Sequence, residues 1–231
     1  MSRLIFVGHR GTKAYEPENT LRSFRRAFEL GANAVECDIR KTKDNQIVVI
    51  HDRTLRRTTN GRGWVHKKLL AQIRTLDAGQ GEKVPTLEEL VHSIDPRYKI
   101  FVEFKVKRGL EEGATKIFGH RRNLIAISFY PKVLERIKTL SPQVKTGLLY
   151  KKKVRNTKNF LLLCKRLEVK WIFLKHNRVK PAFIIEAHKH GFKVLAWVIN
   201  RTKKLQKFIN MGLDGVASDK PDLFQEIRTK N

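Results

Sequence analysis

Short apolar runs alternate with segments of helical periodicity along most of this chain. Eight runs of strand length fall at residues 4–8, 34–39, 100–105, 124–129, 144–149, 170–175, 193–198 and 214–217. Eight helical segments fall at residues 19–30, 86–94, 110–121, 131–140, 156–166, 179–190, 202–210 and 221–228. This is the element count of a (βα)8 TIM barrel, so the pattern predicts an α/β fold of that class.

The length favours one domain over two. A chain of 231 residues with 41% hydrophobic content can bury one barrel-sized core, so we predict a single domain over residues 1–231. Residues 53–85 are polar and too long for a simple loop. We therefore predict a small insertion at the barrel mouth, after the second barrel strand.

One apolar run, residues 47–50, has no place in the eightfold alternation. It follows Asp38 too closely for a parallel crossover, which needs about a dozen residues or more. Asp44 and Asn45 instead predict a two-residue hairpin turn. Counting back from that turn places Asp38 opposite His51, so we expect the hairpin to return His51 to the barrel mouth.

Polar clusters lie at the ends of four apolar runs, and parallel α/β proteins build their sites at strand ends. The clusters are His9-Arg10-Gly11, Glu36-Cys37-Asp38, His51-Asp52 and Glu103-Phe104-Lys105. Among their side chains are two histidines, the carboxylates of Glu36, Asp38 and Glu103, an arginine and a lysine. This combination favours metal-assisted chemistry on a phosphate ester.

The carboxylates are candidate metal ligands. Glu36 and Asp38 are two residues apart on a strand and so face one side, and Glu103 arrives from the next barrel strand. Oxygen ligands without His or Cys favour Mg²⁺ or Ca²⁺ over zinc. The alternative is a structural cluster, in which Glu36 and Glu103 only pair with Arg10 and Lys105.

His9 and His51 are the candidate acid and base. Histidine titrates near pH 6.5, so one imidazole can accept a proton from the nucleophile while the other donates one to the leaving alkoxide. Arg10 and Lys105 are suited to binding phosphate and stabilising its developing charge. The other histidines lack such neighbours and are predicted to be structural: His66, His92, His120, His176, His188 and His190.

Charge is distributed unevenly. The net charge is +27, and residues 101–200 hold 23 basic against 6 acidic residues, a net of +17. This segment could present a positive face to phosphates, nucleic acid or an anionic membrane. The alternative is a set of solvated helix faces with no partner.

The start of the sequence, its apolar runs and its two cysteines bear on the cellular compartment. The first predicted strand follows Met1 almost at once, and no apolar run approaches the length of a membrane span. We therefore expect a cytoplasmic protein. Cys37 and Cys164 fit neither a disulfide framework nor a zinc site.

The motifs, taken in order, resemble those of glycerophosphodiester phosphodiesterases from residue 4 to about residue 224. Each motif alone is weak, but their joint order is specific. They are His9-Arg10-Gly11, Pro17-Glu18-Asn19-Thr20, Glu36-x-Asp38, Thr42-Lys43-Asp44, His51-Asp52, Glu103-x-Lys105, Ser128-Phe129, Trp197-Val198-Ile199-Asn200 and Asp214-Gly215 through Ser218-Asp219-x-Pro221.

The resemblance implies a TIM barrel that hydrolyses a glycerophosphodiester to sn-glycerol 3-phosphate and an alcohol. The implied route begins with attack of the neighbouring glycerol hydroxyl on phosphorus. Water then opens the resulting cyclic phosphate. The histidines exchange roles between the two steps, and a divalent cation neutralises the phosphoryl oxygens.

The resemblance also implies residue roles. Glu18 and Asn19 would brace the site. The remaining assignments are a divalent cation, Mg²⁺ or Ca²⁺, on Glu36, Asp38 and Glu103; acid-base catalysis by His9 and His51; phosphate contact by Arg10 and Lys105; and packing of Trp197 against the glycerol carbons.

Two alternatives stay open. In the first, the mechanism is the same but the protein is a lysophospholipase D that acts at an anionic membrane. The positively charged residues 101–200 would then bind the anionic lipid. The short insertion and the lack of a hydrophobic anchor favour a small-molecule glycerophosphodiester instead. The other is a non-catalytic barrel that binds polyanions, supported by charge alone; we disfavour it, and nucleic acid as a partner. The number of subunits is left open.

Overall fold

The computed structural model describes residues 4–228 and forms a closed parallel barrel. The ring closes because β1 (Ile5–His9) pairs with both β2 (Ala34–Lys41) and β9 (Gly215–Ser218). The other barrel strands are β4 (Lys99–Phe104), β5 (Leu124–Ser128), β6 (Lys145–Tyr150), β7 (Trp171–Lys175) and β8 (Lys193–Trp197). The prediction of an α/β TIM barrel is confirmed.

Helices cover the outside of the ring, with their apolar faces packed on the strands. Thr86 and Glu89 form a capping box at the start of α3. Gly119, with φ of +49°, ends α4 earlier than predicted. The helices are α1 (Leu21–Glu29), α2 (Leu70–Arg74), α3 (Leu87–Ser93), α4 (Glu111–Phe118), α5 (Pro131–Leu140), α6 (Thr157–Arg166), α7 (Pro181–Lys189), α8 (Thr202–Asn210) and α9 (Leu223–Arg228).

Aromatic side chains fill the barrel interior. Phe101 meets Trp171 and Phe173 edge to face, with ring centroids 5.4 and 5.2 Å apart. Small residues such as Ala34 and Ala217 make room for these rings within the same cluster. The barrel is therefore a packed core and not a pore, and a ligand site belongs at its mouth.

The hairpin strand β3 (Ile47–Val49) pairs antiparallel with β2. The Thr42 N–H donates to the Gln46 carbonyl at 3.0 Å, so the loop has three residues instead of two. Asn45 takes the left-handed conformation, with φ of +61°, that such a loop requires. The Ile50 N–H donates to the Asp38 carbonyl at 2.9 Å. The predicted register, with His51 opposite Asp38, is wrong by one residue.

The insertion predicted at residues 53–85 contains α2 and a short 3-10 turn, Val65–Lys67. It covers β3 with a small apolar cluster separate from the two barrel cores. The members of this cluster are Val48, Ile50, Leu55, Val65, Ile73, Ala78 and Val84. The insertion is thereby attached to the barrel through the hairpin.

Candidate active site

The carboxyl ends of β1, β2 and β4 bring the acidic candidates to one level. Strand register places His9 beside Glu36, and Asp38 beside Glu103. A cavity of about 200 Å³ opens there. Its lining residues are Val7, His9, Arg10, Glu36, His51, Glu103, Lys105, Ile127, Phe129, Leu149, Phe173, Trp197 and Ala217.

Glu36, Asp38 and Glu103 form a buried acidic triad. One carboxylate oxygen of each lies within 4.8 Å of the others. Burial and the charges of Asp38 and Glu103 raise the pKa of Glu36 well above its usual range. Burial and Asp38 likewise raise the pKa of Glu103 to about 7. The triad therefore resists full ionisation in the absence of a cation.

Asp38 behaves differently from its two neighbours. Burial opposes its ionisation, but Arg10 and Lys105 outweigh burial and lower the pKa of this carboxyl. Arg10 Nε lies 3.1 Å from Asp38 Oδ2. The Asn19 amide also donates to Asp38 Oδ2 at 3.0 Å. Asp38 is thus a carboxylate held in its charged form.

Two oxygens of the triad are left without hydrogen bonds. Glu36 Oε1 and Asp38 Oδ1 are buried and accept none from the described residues. Asp38 Oδ1 lies 3.4 Å from Lys105 Nζ, near enough for charge attraction but not aligned for a hydrogen bond. Buried, unsatisfied carboxylate oxygens are costly. An all-oxygen donor set of this kind fits a hard divalent cation.

The structural alternative accounts for only part of this arrangement. Lys105 Nζ donates to Glu103 Oε1 at 2.8 Å, as a plain ion pair would require. The Arg10 N–H donates to Glu36 Oε2 at 3.1 Å. Neither contact reaches Glu36 Oε1. Pairing with Arg10 and Lys105 alone therefore leaves the triad incompletely satisfied.

Arg10 sits in a tight turn after β1 with a φ of +53°. Gly11 follows with φ of +86°, and a Cβ there would overlap Ser23. Arg10 also donates from its guanidinium to Glu18 Oε1 at 2.9 Å. The turn fixes the guanidinium between Glu18 and Asp38, at the wall of the cavity.

Both candidate histidines are held by a carboxylate through Nδ1. His9 Nδ1 lies 2.6 Å from Asp219 Oδ1, and His51 Nδ1 lies 2.6 Å from Asp52 Oδ1. Such contacts fix the ring and its tautomer, and leave Nε2 for proton transfer. Burial, with Arg10 and Lys105 nearby, lowers the pKa of His51.

Asp219 and Asp52, the carboxylate partners of His9 and His51, have no predicted role from the sequence alone. Asp219 lies 210 residues from His9, and only its motif after the last strand marked it. The Asn200 amide holds Asp219 from the other side, donating to Oδ2 at 2.7 Å. Asp52 is the direct neighbour of His51, so the His51-Asp52 pair was the available signal.

Glu18 and Arg57 complete the surroundings of the site. Glu18 accepts hydrogen bonds from Arg10 and Arg57, and Arg57 also donates to Asp52. Arg57 belongs to the insertion and is 39 residues from Glu18. No pattern in the sequence indicated this contact.

Trp197 lines the cavity together with apolar side chains. Its ring meets Phe129 edge to face with centroids 5.9 Å apart. Phe173 continues this wall. One side of the cavity is therefore suited to carbon atoms and the other to anions.

Carboxylates, imidazoles and cations that meet at the mouth of a parallel barrel are the groups expected of a hydrolase acting on phosphate esters. Comparison with known proteins leads to the same class of enzyme. The sequence model of the glycerophosphoryl diester phosphodiesterase family matches residues 9–223. The chain belongs to this family.

Individual relatives extend over nearly the full chain. A glycerophosphodiester phosphodiesterase from Caldanaerobacter subterraneus is 34% identical, over 95% of this chain and 96% of its own. A phosphodiesterase from Oleispira antarctica, solved with the product sn-glycerol-3-phosphate, is 29% identical with a TM-score of 0.88, over 96% and 95% of the two chains. A Thermotoga maritima glycerophosphodiester phosphodiesterase is 27% identical with a TM-score of 0.86, over 98% and 99%.

Proposed function

We propose that this protein hydrolyses glycerophosphodiesters to sn-glycerol 3-phosphate and an alcohol. The observation that carries the proposal is the buried acidic triad, with two unsatisfied oxygens, beside Arg10 and Lys105. Family membership and a similar phosphodiesterase solved with sn-glycerol-3-phosphate support the substrate class. The whole chain would act as one catalytic domain, with residues 53–85 as its rim.

Glu36, Asp38 and Glu103 would hold the divalent cation, Mg²⁺ or Ca²⁺. When bound, such a cation neutralises charge on the phosphoryl oxygens. Arg10 and Lys105 would orient the same phosphate by charge-assisted hydrogen bonds. Trp197, with Phe129 behind it, would pack against the glycerol carbons.

His9 and His51 would divide the proton transfers between them. One Nε2 accepts the proton of the glycerol hydroxyl as its oxygen attacks phosphorus, and the other protonates the departing alcohol oxygen. Asp219 and Asp52 would hold each ring and stabilise its protonated form. In the second step water opens the cyclic phosphate, and the two imidazoles exchange tasks.

The test is hydrolysis of glycerophosphocholine in a screen of Mg²⁺, Ca²⁺ and chelator, followed by enzymatic detection of sn-glycerol 3-phosphate. Glu36→Ala and His51→Ala should each lose about a thousandfold or more, because grouped catalytic residues act as a unit. His120→Ala, an exposed histidine after α4, is the matched control. Near-normal rates in either site variant would show that the site lies elsewhere.

No helix among residues 4–228 is long and apolar enough to cross a membrane. The cytoplasmic location stays a prediction. The same holds for peripheral contact with an anionic membrane, which no observation on this structure supports.

A further inference from the structure

A second cavity, of about 330 Å³, lies beside the central one at the barrel mouth. We call it the cationic groove. It is formed by the end of β2, the insertion, the loop after β4, and the residue before α5. Its lining residues are Arg40, Lys41, Arg53, Trp64, Val65, His66, Lys105, Val106, Lys107, Arg108 and Tyr130.

Most of the positive charge in the groove is not neutralised by a direct ion pair among residues 4–228. None of its lining residues is acidic. Within residues 4–228, no carboxylate lies within ion-pair distance, 4.0 Å, of five of its cations: Arg40, Lys41, Arg53, Lys107 and Arg108. By contrast, Arg10 and Arg57, which do not line the groove, pair with carboxylates, as does Lys105, which lines both cavities. The groove is thus electrostatically unlike the site beside it.

Arg40 forms part of the wall of this groove, and it is buried. It is only 8% exposed, and its Nε donates to the backbone carbonyl of His51 at 2.8 Å. A guanidinium is always charged in proteins, and burying one without a paired anion is costly. Its planar group of donors is well matched to phosphate oxygens. A bound anion would therefore relieve this cost.

The groove is continuous with the central cavity. Lys105 lines both of them. His51 joins them as well, because its carbonyl is held by Arg40 while its side chain lines the central cavity. A diester centred on the acidic triad has two arms. If the glycerol arm lies against Trp197 and Phe129, the other arm passes over Lys105 into the groove.

We propose that the cationic groove binds the alcohol half of the substrate and selects alcohols that carry a further phosphate group. This inference rests on the proposed function. Arg40, Arg53 and Arg108 would contact the additional phosphate. Trp64, 43% exposed, offers a flat face to the carbon skeleton that links the two phosphates.

Two kinds of substrate could carry the additional phosphate group. The additional phosphate could be a monoester on a small polyol, or the next diester of a glycerol phosphate chain. A further cavity of about 660 Å³ shares Lys41, Lys107 and Arg108 with the groove and adds Lys116 and Lys132. Two carboxylates also line it, Glu111 and Glu112, and Glu112 pairs with Arg136. A chain of phosphodiesters could follow this path, whereas a single polyol phosphate would fill the groove alone.

The experiment compares kcat/KM for glycerophosphocholine, a glycerophosphoinositol phosphate, and a short glycerol phosphate oligomer. Wild type should prefer the two phosphorylated substrates by about tenfold or more at low salt, and lose much of that preference as salt screens the charges. Preference for the oligomer over the inositol phosphate would identify the chain as the source. The reverse order would identify the monoester.

Two exposed cations of the groove provide the variants, Arg53→Gln and Arg108→Gln. Each should lower kcat/KM for the phosphorylated substrates about tenfold, the loss expected for one charge-assisted contact. The preference for these substrates over glycerophosphocholine should fall with it, because choline carries no phosphate for these cations to contact. Arg166→Gln, an exposed cation on α6 outside both cavities, should change neither.

Binding separates this inference from the proposed function. Inositol phosphate alone should bind the wild-type protein, by calorimetry, about tenfold more tightly than it binds Arg53→Gln. If inositol phosphate binds in this way but no diester is hydrolysed, the proposed function is refuted, whereas the inference that the groove binds phosphate stands. If glycerophosphocholine is hydrolysed with no preference for phosphorylated alcohols, the proposed role of the groove is overturned. Variants that weaken only sedimentation with phosphatidylglycerol vesicles would also overturn it, since they would show a membrane surface instead.

Discussion

Arg57 Nε lies 2.6 Å from Asp52 Oδ2 and thereby ties the insertion to the carboxylate that holds His51. The same guanidinium donates to Glu18 Oε1 at 2.7 Å. Glu18 in turn holds Arg10. One exposed residue of the rim therefore helps to orient both a candidate proton-transfer group and a candidate phosphate ligand.

We expect Arg57→Met to lower kcat about tenfold with a smaller change in KM, because Asp52 loses a partner that fixes its orientation. Arg57→Lys should restore part of the rate, since one charged donor remains. Arg56→Met, an exposed neighbour without a carboxylate partner among residues 4–228, is the matched control. A drop in thermal stability without a change in kcat, or no rescue by lysine, would make Arg57 merely structural.

Metal removal should destabilise the folded protein. A ligand that binds only the native state stabilises it in proportion to the logarithm of its concentration over Kd. Saturating Mg²⁺ or Ca²⁺ should therefore raise Tm by roughly 5 °C or more over the chelated protein.

Glu36→Gln and Glu103→Gln should each remove most of this thermal shift. Glu112→Gln changes an exposed carboxylate that pairs with Arg136, and should leave the shift intact. Equal shifts in all three variants would place the cation outside the triad.

Acid should erase part of the stability that Arg57 provides. Burial opposes ionisation of Glu18, but the hydrogen bond from Arg57 and the charge of Arg10 outweigh it and lower the pKa of this carboxyl. A carboxyl with a lowered folded-state pKa stabilises the native state above its unfolded value, about 4.3, and loses that contribution as pH falls through the folded value.

The Tm difference between wild type and Arg57→Met, measured in chelator, should therefore be largest near pH 7. It should shrink as the pH is lowered from about 4.3 toward 3. A difference that stays constant over this range would mean that Glu18 and Asp52 do not carry the effect.

Asp219→Asn should lower kcat by about a hundredfold or more, because the amide cannot stabilise a protonated His9 and favours the wrong tautomer. KM should change little. The chain offers a matched control in Asp214→Asn, because Asp214 lies 2.8 Å from His188 Nε2 at the amino end of β9. Equal rate losses in the two variants would contradict a role of Asp219 in holding His9 for proton transfer.

The barrel was predictable because its signals are local. Apolar runs and helical periodicity mark each element, and the Thr86-Glu89 capping box fixes the start of α3 without reference to the rest of the chain. Gly119 ended α4 early because a positive φ stops a helix, and residue type alone does not state its φ. Strand ends of a parallel sheet share one edge, so clusters after separate strands could be placed at one mouth.

The hairpin shows where local signals fail. Either a two-residue or a three-residue loop is compatible with Lys43, Asp44 and Asn45. Two hydrogen bonds select the longer one: the Thr42 N–H donates to the Gln46 carbonyl, and the Gln46 N–H donates to Thr42 Oγ1. That choice moves His51 by one register position, which pattern alone could not decide.

The sequence by itself determined the strand-helix order, the residue types after each strand and the family these motifs resemble. Tertiary structure alone decided the contacts of His9 with Asp219 and of Arg57 with Glu18, across 210 and 39 residues. It also gathered, from three separate segments, cations that have no carboxylate within ion-pair distance among residues 4–228, and placed them in one groove. The physical reason is that charge and hydrogen bonding act through space, and only the closed ring sets those distances.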